Sequence, residues 1–451
     1  MNLNRRNFLR TSLACGAYGF GMFQPALWQR QLYAGTPDQN KKLIFIFQRG
    51  GNDGINTVIP RGDADYNQQT RPTLFIPEAN ALDLGNGFAQ LNPAMAPMME
   101  LYNSTALNGV EGLGNLAVIH RIGYDNQSRS HFDSQDYWEV GSPGDDRLRE
   151  GMFYRRLAQC YDLKDPNNAF LAASISSNEI LGLRGSKPFP NFNDSAEFGF
   201  LGRDTEKTKF LGSLPSAEGA GDGKGVLGLY GDSPLFNGRD YHDRMHDTGK
   251  ALGGSIATVQ QAIANGYTPE NGAVYPDGSF GDKLQEAAML LKNTPVKVVG
   301  INKGGWDTHS GQANNQADLL GDLAQGFQAL ARDLRDQWDD VIIVTMTEFG
   351  RTSEENGSQG TDHAEASAMF VAGGGVKGGV YNCDATTWEA GAMFSKRDRY
   401  LARNTDFRSV FGEIFMKHFG DSRASLDVTM PGYTFAEEDA PSEFKPLNFL
   451  S

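Results

Sequence analysis

The sequence is poor in cysteine, in long apolar runs and in basic charge, and each shortage removes a class of function. Three cysteines, Cys15, Cys160 and Cys383, allow at most one disulfide and lack zinc-ribbon spacing, so thiol chemistry is not its theme. No stretch approaches the ~18 consecutive apolar residues of a membrane span. The cleanest runs, Leu43–Phe47 and Val341–Val344, are only strand-sized. Lys and Arg number 41 against 55 Asp and Glu, a net charge of −14. Duplex nucleic acid is thereby excluded as a partner, because phosphate binding needs a basic face. Glycine is abundant, at 54 of 451 residues, about 12% against a usual ~7%. Tight turns and long loops are expected.

The N-terminus reads Asn4-Arg5-Arg6-Asn7-Phe8-Leu9-Arg10, followed by a mildly apolar, glycine-rich stretch with no acidic residue before Asp38. Adjacent arginines before Phe-Leu match a twin-arginine export signal over residues 1–34. Cys15 is not read as a lipoprotein site, since Ser12 stands where that signal wants leucine. Removing residues 1–34 takes away four arginines and no acid, so the net charge moves from −14 to −18. The expected location is periplasmic or extracellular, with the twin-arginine machinery as a partner and no integral membrane span. Residues 35–451 then form one domain.

Leu43–Phe47, Leu116–Ile122, Val296–Ile301, Val341–Thr345 and Met369–Gly373 read as strands. Helical spacing appears at Leu284–Leu291 and Leu319–Trp338, and Phe132–Val140 also looks helical. Alternating strands and helices predict an α/β fold with a doubly wound, largely parallel central sheet. Ligands in such sheets bind beyond the carboxyl ends of the strands. Residues ~195–280, with the run Gly219–Gly225, read as a Gly-rich insertion or lid carrying one helix near Lys250–Ala264.

The polar clusters fall at the predicted strand ends. Asp53, in GGNDG, is expected to stand exposed above the sheet edge, or else to be an ordinary turn aspartate. Ser130 opens a helix after the second strand, where it is either a cap or a nucleophile backed by free N–H groups, with His131 beside it. Asp307 and His309 share a glycine-flanked loop, and Asp362 and His363 form a second carboxylate–imidazole pair. Carboxylate plus imidazole suits zinc, manganese or iron. Glu348 ends the fourth strand, with Arg351 three residues on. His242 and His246 lack this setting and read as surface residues.

With these pieces assembled, the sequence resembles a bacterial family, the domain of unknown function 1501 (DUF1501). The matching stretches are RGGNDGINTVIP (49–60), RSHFDSQDYW (129–138), GGWDTHSGQ (304–312), TEFGRT (347–352) and GTDHAEASAMFVAGGGVKGG (360–379), within about residues 42–420. That family is similar to the alkaline phosphatase superfamily, which includes sulfatases. The resemblance implies one or two divalent ions, zinc or manganese foremost, above the sheet. It implies Asp53, Asp307, His309, Glu348 and His363 as metal ligands and Ser130 as the nucleophile. It points to an exported metallohydrolase acting on a phosphate or sulfate ester. Arg351 or Arg129 is expected to hold the ester oxygens and His131 to protonate the leaving group. Two features depart from the superfamily. Glu348-Phe349 stands where Asp-His is usual, and the spacing of Asp307 to His309 is short. Asp362 or His131 could complete a second ion's ligands. A non-catalytic binding protein on the same fold, retaining a metal or an anion, is the alternative reading.

Overall fold

The structure, a computed structural model, describes residues 40–104, 112–199, 203–212, 225, 240–264, 266–433 and 442–450. The expected export signal and nearly all of the run 219–225 lie outside the described residues, as does the side chain of His242. The strands are β1 (Lys42–Gln48), β2 (Val58–Pro60), β3 (Leu82–Asp83), β4 (Ala89–Leu91), β5 (Leu116–Gly123) and β6 (Ala172–Ile175). They continue with β7 (Asn191–Phe192), β8 (Val298–Lys303), β9 (Val341–Thr347), β10 (Ser367–Gly373), β11 (Gly379–Tyr381) and β12 (Thr405–Asp406).

The main sheet runs β11-β5-β10-β9-β1-β8-β6-β7, with β12 also pairing β5. Its pairings are parallel except at β10, which is antiparallel to both neighbours. A small antiparallel sheet, β2-β4-β3, lies apart. The apolar run of β1 has a simple cause. Ile44 and Ile46 enter one core cluster while Leu43, Phe45 and Phe47 enter another, so both faces of the strand are covered. Val341 and Ile343 of β9 separate from Ile342, Val344 and Met346 in the same way.

Helices Ser279–Asn293 and Gln312–Asp333 cover the first face, through Leu284, Ala287, Leu291, Leu323, Phe327 and Leu330. Helices Met152–Cys160 and Phe407–Glu413 cover the second, through Phe153, Leu157, Val410 and Phe411. The α/β class and a mixed, mostly parallel sheet are therefore present. The helix expected at Leu319–Trp338 begins seven residues earlier and gives way after Asp333 to a 3-10 turn, Arg335–Asp340. Its first turns were hidden because their buried positions are Gln312 and Gln316, which break the apolar pattern. The helix expected near Lys250–Ala264 spans Asp240–Ile263. Among the described residues no helix is long and apolar enough to cross a membrane.

Candidate metal centre

Strand β1 lies between β8 and β9, parallel to both, and all three end at one edge, where each turns into a loop. β10 runs the other way, so His363, just before it, arrives at the same edge. β5 ends there too and leads to helix His131–Val140. These loops touch backbone to backbone. Gly50 has φ +124°, and a Cβ on it would stand 2.3 Å from the amide nitrogen of Asp307. A Cβ on Gly360 would stand 2.3 Å from the carbonyl carbon of His309. Only glycine allows such an approach.

Buried Arg351 ties the loops together. Its Nε donates to the Gly51 carbonyl at 2.8 Å, and Nη1 to the Thr361 carbonyl at 3.0 Å. Its Nη2 reaches the carbonyls of Gly50 and Trp306 and donates to Asp307 Oδ1 at 2.6 Å. Gln312 adds a clamp from below. Its Oε1 accepts from the hydroxyls of Thr308, at 3.0 Å, and Thr361, at 2.6 Å. Its Nε2 donates to Asp53 Oδ2 at 2.6 Å.

Above this base stand three imidazoles and one carboxylate. His131, Asp307 and His363 form a group able to hold a metal ion. His309 touches it on two sides, its Nε2 lying 2.9 Å from His363 Nε2 and 3.1 Å from Asp307 Oδ1. His363 Nε2 is 3.1 Å from the same oxygen, and His131 Nε2 is 3.5 Å from Asp307 Oδ2. Neighbouring ligand atoms around a tetrahedral ion with bonds of about 2.0–2.1 Å are spaced about 3.3 Å apart.

Each imidazole is oriented from its other nitrogen. His131 Nδ1 faces Glu348 Oε1 at 2.8 Å, His309 Nδ1 faces Asp362 Oδ1 at 3.3 Å, and His363 Nδ1 faces the Arg129 carbonyl at 2.9 Å. Those partners are acceptors, so each Nδ1 carries the proton when the ring is neutral. Each Nε2 then offers a lone pair, which is how metal-binding histidines are held. Two such lone pairs 2.9 Å apart, on His309 and His363, repel unless a cation or proton lies between them. His131 Nε2 is itself buried without a hydrogen-bond partner. The donor set therefore fits a divalent ion.

The electrostatics agree. Burial pushes the Asp307 pKa up, but the hydrogen bond and charge of Arg351 outweigh it and hold the carboxyl at about 2. Glu348 is likewise pushed up by burial and brought below its ordinary value by His131, Gln135 and the Gly50 amide. The hydrogen bond to Glu348 raises His131, whereas burial lowers His363.

The predicted site residues divide accordingly. Asp307, His309 and His363 come together at one place, and His131 lies with them. Glu348 and Asp362 instead hold the Nδ1 atoms of His131 and His309. Asp53 is not exposed above the sheet. It is buried against Arg71 at 2.6 Å and caps the short helix Gly54–Thr57 by accepting from the amides of Ile55 and Asn56. Arg351 is also buried, with its guanidinium committed to the loops, so it does not face solvent. Ser130 is the N-cap of helix His131–Val140, half-buried, with its Oγ accepting from the Asp133 amide at 3.5 Å. Reading the sequence assigned no role to Arg71 or Gln312. Gln312 closes the stretch GGWDTHSGQ and was within reach, but Arg71 carries no local signal.

A comparison with curated proteins returns no match. Residues 253–393, which contain Asp307, His309, Arg351 and His363, match the family model described as protein of unknown function (DUF1501), and a DUF1501 domain is thus present over that stretch.

Proposed function

We propose that this chain is an exported, metal-dependent hydrolase of a phosphate or sulfate ester. One observation carries the reading: three imidazoles, each fixed at Nδ1, turn their Nε2 atoms toward one carboxylate that is open to solvent. The Asp307 and His309 side chains are 48% and 44% exposed, so a further ligand can reach the group. An open position marks catalytic rather than structural sites. His131, Asp307, His309 and His363 hold the ion, zinc or manganese, and the described residues suit one ion better than two because Asp53 is engaged elsewhere. When bound, the ion supplies positive charge that polarises an ester and eases deprotonation of a nearby hydroxyl or water. Ser130 places its hydroxyl one residue before the ligand His131, at the start of a helix. With Arg351 buried on Asp307, the guanidinium expected to hold ester oxygens is not free to do so at the centre. The twin arginines at residues 5 and 6 support export.

A second reading, a non-catalytic protein that retains the ion on the same fold, draws on that burial of Arg351, which removes the expected oxygen-binding fork. Metal analysis of protein purified after export, with turnover of a phosphate and sulfate ester panel by the parent and Ser130→Ala, separates the two. The hydrolase reading expects a stoichiometric ion, turnover by the parent and none by Ser130→Ala. A fully metallated parent inert toward every ester favours the binding protein. Equal turnover by both chains removes Ser130 as nucleophile.

A further inference from the structure

A chain of contacts leads out of the metal centre to a hairpin with no role so far. His309 meets Asp362, and Asp362 Oδ2 accepts from Arg399 Nη2 at 3.0 Å. The next residue, Tyr400, accepts at its hydroxyl from Arg129 Nη1 at 2.8 Å, and the Arg129 carbonyl returns to His363. Arg129 and the neighbouring Arg397 both lie against the same Tyr400 ring, 5.4 and 6.0 Å from its centre. Arg397 and Arg399 are exposed and Arg129 is half-buried. Lys396 is neutralised by Glu365 at 2.8 Å. Among the described residues neither Arg129 nor Arg397 has a carboxylate partner.

Two features set this rim apart. In a chain of net charge −14, the run Lys396-Arg397-Asp398-Arg399 is locally basic and sits against the ligands' own partners. The backbone also bears a cost to present it. Lys396 and Tyr400 pair across a tight turn whose Arg397 and Asp398 have φ of +55° and +50°. Glycine or asparagine occupies that region more cheaply than arginine. Strain of this kind collects where a side chain has work to do.

We infer that the hairpin 396–400 forms, with Arg129, a second anion subsite beside the metal centre. The favoured substrate is then an ester that bears a further phosphate, sulfate or carboxylate group. The ester group lies over the metal ligands, and the second group lies against Arg397 and Arg129 at the Tyr400 edge. Guanidinium forks suit both oxyanions. The inference rests on the ester-hydrolase reading for the first group only.

The test is calorimetric binding of a hexose monophosphate and the matching bisphosphate to the full metal-loaded chain. The bisphosphate should bind roughly tenfold more tightly to the parent, as one added charge-assisted contact provides. Arg397→Asn, which removes the charge and suits the left-handed backbone, should cut that ratio to about threefold or less, and Arg397→Lys should restore most of it. Thermal melting and metal content of each variant show that the fold and the centre persist. A parent without preference, or a preference unchanged in Arg397→Asn, overturns the subsite. Preference lost in Arg397→Asn with no ester hydrolysed by the parent leaves the subsite standing and removes the hydrolase reading. Hydrolysis without preference does the reverse.

Discussion

At the residue scale, the roles of the carboxylates are decided by what their oxygens already touch. Glu348 Oε1 accepts from the Gly50 amide, from Gln135 and from His131, each at 2.8 Å. It is therefore a holder of His131, whereas Asp307 faces three Nε2 atoms. This distinction predicts graded losses. Glu348→Gln should weaken metal binding roughly 10–100-fold, the usual effect of an outer partner. His309→Ala should weaken it further if His309 is a ligand, and should lower the melting temperature because the ion stabilises only the folded state. Chelator-competition titration of zinc into both variants checks the order. Unchanged affinity in His309→Ala would make that histidine structural. Residue types and spacing made Asp307, His309 and His363 legible in the sequence. Asp53 was misplaced because a strand-end aspartate looks the same whether it meets an ion or Arg71, 18 residues away in a loop.

At the element scale, the centre depends on how closely the strand-end loops pack. The loop after β1 lies against the loop after β8 at Gly50, and Arg351 and Gln312 bridge the loops that carry the ligands. Gly50→Ala should thus be far more damaging than its one methyl group suggests. The positive φ alone costs about 1–3 kcal/mol, and the 2.3 Å approach to Asp307 forces the loops apart. Metal content should fall together with stability in urea unfolding. If Gly50→Ala retains both, the loops are more compliant than their contacts indicate. Ser130→Ala offers a contrast, since removing an N-cap costs only about 1 kcal/mol. Strands β1, β5, β8 and β9 could be read from their apolar runs, and the antiparallel direction of β10 could not. Direction depends on which strands become neighbours, and that is a long-range outcome.

For the whole molecule, two buried histidines far from any proposed ligand role make stability depend on acid. His120 accepts from the Arg121 amide and pairs with the Val58 carbonyl, and His418 pairs with the Lys42 carbonyl. Burial lowers their pKa values to about 3 and about 4. Unfolded histidine titrates near 6.5. Below that pH the unfolded chain binds more protons, so stability is full above about 6.5 and falls as the pH drops toward about 4. The loss is up to about 1.4 kcal/mol per pH unit for each histidine. Urea unfolding with chelator present, from pH 7.5 to 4, should show His418→Gln with a slope about one proton shallower than the parent's. An identical slope would place His418 outside the acid response. A further prediction concerns the whole chain's destination: replacing Arg5 and Arg6 by Lys should leave it in the cytoplasm. Normal export of that variant, followed by fractionation and blotting, would sink the twin-arginine reading.

What the sequence determined by itself was local. Apolar runs of strand length and helical spacing between them pointed to the α/β class, and carboxylate–imidazole pairs at their ends pointed to most of the candidate ligands, because each signal lies within a few residues. Only the tertiary structure decided which polar groups meet. It buried Arg351 and Asp53 beneath the loops, turned Glu348 and Asp362 toward imidazole Nδ1 atoms, and brought His131 to Asp307 across 176 positions of chain. Spacing along the chain carries no information about such contacts, since they follow from the order and direction of the strands in the sheet.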